Sequence, residues 1–102
     1  MLNQMIMIGR LTNDVEIEKV GENEIAKITV AVPRSFKNAD GEYDTDFITC
    51  NIFQPIAGNI KEYCKKGDIL GIKGRIQSNE EKMEIIAEKV TFLSSKKESE
   101  EK

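Results

Sequence analysis

The stretch Asp46-Phe47-Ile48-Thr49-Cys50-Asn51-Ile52-Phe53 alternates without a break. Ile48, Cys50 and Ile52 fall on one face, and Phe47, Thr49, Asn51 and Phe53 fall on the other. That period of two marks a strand with one face on a core. The second face is polar except for its two phenylalanines, and rings on a solvated face need an explanation. Either a loop or a second subunit covers them, or something flat stacks on them.

Outward from this strand, more strands appear. Ile25 to Val32 alternates, with Ala26, Ile28, Val30 and Val32 on one face and Lys27 and Thr29 on the other. Met5-Ile6-Met7-Ile8 is a continuous apolar run ended by Gly9, which predicts burial on both faces. Ile69 to Gln77 is a fourth strand with Leu70, Ile72 and Ile76 inward. Lys82 to Leu93 is a fifth, whose pattern is broken by Glu84 and Glu88. Between the third and fourth strands, Ile56, Ile60, Tyr63 and Cys64 recur at helical spacing. Pro55 suits the first turn of that helix, and Gly67 after Lys65-Lys66 suits its stop. Turns are expected at 20–23, 38–41 and 78–81. The order β-β-β-α-β-β is the plan of the OB fold. The expected class is therefore all-β: a five-stranded Greek-key barrel with one helix between strands 3 and 4.

A chain of 102 residues is enough for one domain. That domain is expected over 1–93. Residues 94–102 have no apolar side chain and read as a polar, disordered tail. The tail carries three Lys and three Glu, so the net charge of −3 belongs to residues 1–93. This is the wrong sign for a protein that coats a polyanion by bulk charge, although local basic stripes can still meet phosphates. No apolar run reaches the length of a membrane span, and Met1-Leu2-Asn3-Gln4 lacks the features of a signal peptide. A cytoplasmic protein is expected.

Catalytic sets are missing. The chain has no histidine, so no Ser/His or Cys/His pair can form. Cys50 and Cys64 are too few for a zinc site and are expected to be buried free thiols. Asp40, Asp44 and Asp46 lack calcium-loop spacing. Gly71-Ile72-Lys73-Gly74-Arg75 lies within a strand and is not a phosphate loop. Neither an enzyme, a cofactor nor a metal is expected.

The cations tell more. Arg34 and Lys37 flank Phe36, which pairs a ring for stacking with charges for phosphates. Asp40, Glu42, Asp44 and Asp46 would repel phosphate on the far side of that hairpin. Lys73 and Arg75 alternate outward on the fourth strand, and Arg10 follows the first. Each alone reads as a solubility residue. Together with the outward phenylalanines they suggest a nucleic-acid face.

These residues resemble the bacterial and phage single-stranded-DNA-binding protein family. Leu2 to Asp14, with its Gly9-Arg10-Leu11-Thr12, is similar to the family's first strand. Ile28–Val32, Thr45–Phe53, Tyr63–Asp68 and Gly71–Gln77 follow in the family's order. The resemblance implies base stacking on Phe36, Phe47 and Phe53. It implies phosphate contacts from Arg10, Arg34, Lys37, Lys73 and Arg75, and binding of single-stranded DNA with little sequence preference in replication, recombination or repair. It also implies a homotetramer or homodimer built through Met5, Ile6, Met7 and Ile8. Three features depart from the family. The loop near Ser78–Glu81 is short, Glu98, Glu100 and Glu101 of the neutral tail lack the hydrophobic tip that recruits repair proteins, and the net charge is negative. They leave room for an alternative, an OB-fold accessory module akin to a primosomal protein, with Phe47 and Phe53 in a protein interface.

Overall fold

The computed structural model describes residues 2–94. Its strands are β1 (Met5–Leu11), β2 (Ile17–Val20), β3 (Asn23–Lys37), β4 (Tyr43–Phe53), β5 (Ile69–Asn79) and β6 (Lys82–Ser94), with helix α1 (Ile56–Tyr63) between β4 and β5. The sheet order is β1-β5-β6-β4-β3-β2. A further pairing of β1 with β3, Arg10 against Ala31 and Leu11 against Val30, closes five of the strands into a barrel. The β4–β6 contact is parallel, Cys50 to Ile52 against Ile85 to Ala87. This is the OB-fold barrel the sequence predicts, with the helix in the expected place. Of the expected tail, Ser94 is the last residue of β6, and 95–102 lie outside the described residues.

Alternation fills the barrel. Ala26, Ile28 and Val30 of β3, Cys50 and Ile52 of β4, and Leu70 and Ile72 of β5 are fully buried or nearly so. Helix α1 closes one end with Ala57 and Ile60, and Cys64 is buried just beyond it. Two glycines let backbones approach. A Cβ on Gly9 would meet Val32 Cγ2 at 2.9 Å and the Ala31 carbonyl at 3.0 Å, where β1 meets β3. A Cβ on Gly74 would stand 2.0 Å from the Ile86 carbonyl oxygen.

The structure corrects several expectations. β2 is an additional strand, four residues long and mostly exposed, so it carries almost no alternation to read. The first strand is not buried on both faces within one chain: Ile6 is 73% and Ile8 58% exposed, while Met7 packs against the core. Ile76 is not inward. β1 pairs with β5 only as far as Met5 opposite Gly74, so Ile76 lies in a two-stranded arm beyond the barrel. The Asn3 side chain extends that ladder. Its Nδ2 donates to the Ile76 carbonyl, and its Oδ1 accepts from the Ile76 N–H at 3.0 Å. Tyr63 is exposed because the helix stops there, with Cys64 in extended conformation. The broken pattern of the last strand has a cause. Between Lys73/Lys89 and Gly74/Ala87 the register shifts, which bulges out Glu88 and leaves Ile86 and Ala87 buried in succession.

Candidate nucleic-acid interface

The outer face of β3 and β4 is set by their register. Ile25 stands opposite Phe53, Lys27 opposite Asn51, Thr29 opposite Thr49, Ala31 opposite Phe47 and Pro33 opposite Thr45. The core-facing residues between them fix all these side chains outward. Phe47 is 68% exposed and Phe53 36%. They lie six positions apart, about 20 Å along the strand. Between them lies a polar floor in which the Thr29 and Thr49 hydroxyls are 3.0 Å apart.

Beyond the barrel, β3 and β4 continue as an arm. Pairing jumps from Pro33/Thr45 to Lys37/Tyr43, so Arg34, Ser35 and Phe36 oppose Asp44 alone. The bulge leaves Phe36 64% exposed. Lys37 Nζ sits 5.8 Å from the centroid of the Tyr43 ring, within cation–π range. Tyr43 shares the odd-numbered outer row of β4 with Phe47 and Phe53 and is exposed. The sequence reading missed it, because the acids around it marked a turn. The signal was its even spacing from Phe47. Lys27, between the Phe53 and Thr49 rungs, was also not singled out as a contact.

The expected cations do not gather at one place. Arg10 stands beside Ala31, two strands from Phe47 and about 10 Å from it. Its Nη1 donates to the Gly67 carbonyl at 2.7 Å, tying the loop after α1 to β1. Arg34 is held by acids. Its Nε donates to both Asp46 carboxylate oxygens at 3.1 and 3.3 Å, and its Nη2 reaches one at 2.9 Å. Asp44 lies 3.9 Å from its Nη1. The hydrogen bond from Arg34 holds the Asp46 carboxyl below its usual range, and the same bond raises the guanidinium. Asp44 and Asp46 alternate with Tyr43, Thr45 and Phe47, so they draw Arg34 to the side of the arm opposite the Phe47 ring. Arg75 on β5 pairs with Glu88 at 3.0 Å. Lys73, also on β5, lies between Ile6 of β1 and Lys89 of β6. That wall of the barrel is apolar otherwise, with Ile8, Thr91 and Leu93 around a shallow depression.

Neither cysteine belongs to the interface. Burial pushes the Cys50 thiol up to about 11, and burial and then the nearby Asp68 carboxylate raise Cys64. Among the described residues no group of His, Cys, Asp or Glu could hold a metal ion. No described helix is long and apolar enough to cross a membrane.

Residues 2–93 match the single-strand binding protein family. The single-stranded DNA-binding protein B of Bacillus subtilis (strain 168) is 39% identical over 106 aligned positions, covering 94% of this chain and 94% of that protein. The single-stranded DNA-binding protein 3 of Listeria innocua is 40% identical and covers 94% of this chain, which spans 66% of its length. Among solved structures, a deletion mutant of the single-stranded DNA binding protein from Thermus aquaticus superposes with a TM-score of 0.72 at 20% identity. That likeness covers 91% of this chain and 51% of the Thermus chain, and it shows the shared fold.

Proposed function

Because the chain belongs to the single-strand binding protein family, we propose that it binds single-stranded DNA with little sequence preference and performs no catalysis. The observation that carries this is the outer face of β3 and β4, where Phe47 and Phe53 stand exposed on a polar floor. Flat rings on such a floor offer every base a π-face, and stacking is worth about 1–3 kcal/mol per base. Phe36, exposed in the bulge of the arm, is a further ring for stacking. Arg10 and Lys37 meet phosphates beside the rings, and Arg75, once it leaves Glu88, serves a strand that wraps on to β5, while Lys73 stands in the wall that assembly would cover. Arg34 joins them only if it leaves Asp46. Residues 1–93 form the binding domain. The role this reading gives it is in replication, recombination or repair, in the cytoplasm.

The functional unit is a homo-oligomer, a tetramer or a dimer, assembled on Met5 to Ile8. Exposed Ile6 and Ile8, next to Leu93, support this, since an apolar wall of that kind gains from being covered.

The experiment is a fluorescence-anisotropy titration of labelled oligo(dT) at low and at physiological salt, with duplex DNA as competitor. Tight binding that weakens with salt and resists duplex supports the reading. The capture of Arg34 and Arg75 by acids favours one other reading, an accessory module whose phenylalanines meet protein. Absence of binding at low salt selects it.

A further inference from the structure

The carboxylates on the β3–β4 arm do more than repel. Resting on the single-strand reading, we propose that Asp46 sets the protein's affinity by withholding Arg34: a phosphate reaches that guanidinium only by displacing the carboxylate.

Asp46 meets Arg34 through two nitrogens, in the side-on geometry by which arginine also grips phosphate. Asp46 therefore occupies the donors a phosphate oxygen would use. Asp44 closes the other side at 3.9 Å, and is itself steadied by a 2.9 Å hydrogen bond from Asn38 Nδ2. The arginine lies in the bulge next to Ser35 and Phe36, where β4 offers no ladder partner to hold it by backbone. All three side chains are close to half exposed, 44% for Arg34, 45% for Asp46 and 49% for Asp44. Ion pairs this open to water are weak and exchange readily. Hence the arginine is held back without being locked away. Asp46 acts as a built-in competitor, so the free protein withholds Arg34 from a strand.

The test compares wild type, Asp46→Asn, Arg34→Ala and the double variant. Labelled oligo(dT) is titrated at several salt concentrations, and thermal unfolding checks each fold. Asp46→Asn is expected to tighten binding several-fold at low salt. It should also steepen the slope of log K against log salt by about 0.7, the value of one added phosphate contact on a single strand. Arg34→Ala should erase the gain in the double variant. Unchanged binding by Asp46→Asn overturns the proposal. So does a gain that survives in the double variant, because it then reflects only a lost negative charge. Should Asp46→Asn fail to fold, Asp46→Ala is read by the same criteria. Wild type that does not bind oligo(dT) overturns the single-strand reading itself, whereas wild-type binding indifferent to Asp46 overturns only this inference.

Discussion

Phe47 stands directly across the β3–β4 ladder from Ala31, whereas Phe53 stands across from Ile25. A methyl group cannot cover the flank of a ring, and a branched side chain can. Phe47 is accordingly 68% exposed and Phe53 36%. The two rings lie on one strand and face the same way, yet they offer different areas to a base.

This difference orders the stacking variants. Phe47→Ala should weaken oligo(dT) binding more than Phe53→Ala. Together the two should cost roughly 2–6 kcal/mol if they add. Thermal unfolding should stay near wild type, because neither ring belongs to the core. Full affinity in the double variant would remove stacking from the mechanism.

Gly74 offers a test of the barrel. Alanine there puts a methyl group 2.0 Å from the Ile86 carbonyl oxygen, and backbone has to move. Denaturant unfolding should show a loss of about 3 kcal/mol or more. Gly21, where a Cβ would meet nothing within 4 Å but φ is 64°, should tolerate alanine with a smaller loss.

The apolar wall of β1 predicts assembly. Ile6→Lys with Ile8→Lys should turn the oligomer into monomers in sedimentation velocity, since both side chains are exposed in the single chain. Met7→Lys is the poorer probe, because Met7 packs against the core and its loss confuses folding with assembly. An oligomer that survives the double lysine change places the interface elsewhere.

Alkaline pH should act through Cys50. An unfolded thiol ionises near 9.0, and the buried one at about 11. Between these values the unfolded chain binds fewer protons than the folded one, so stability falls as pH rises. Below pH 9 both states hold the proton, and the group adds no slope. Across that window the loss amounts to at most roughly 3 kcal/mol. Urea melts from pH 8 to 11 should therefore fall more steeply for wild type than for Cys50→Ala. Equal slopes would show that Cys50 does not drive the loss.

Much of this was legible in the sequence. Alternation at Ala26–Val32 and at Ile48–Ile52 marks both core-facing rows, because a half-buried strand writes its period directly into residue type. The same alternation exposes Phe47 and Phe53 as outward rings. β2 leaves no such trace, since a strand with three exposed residues in four needs no apolar period. Tyr43 was hidden among acids that mark a turn, and only the continued ladder opposite Lys37 shows that β4 begins there.

The barrel plan, the helix between its halves and the side of β4 that meets solvent follow from the order of residues, because burial within one strand depends on local period. What the cations do follows only from the folded chain. Arg10 reaches Gly67 from 57 residues away, Arg34 reaches Asp46 across the arm and Arg75 reaches Glu88 across a bulge. A charge's partner depends on register, bulges and the meeting of distant strands, and none of these is encoded in the residues on either side of it.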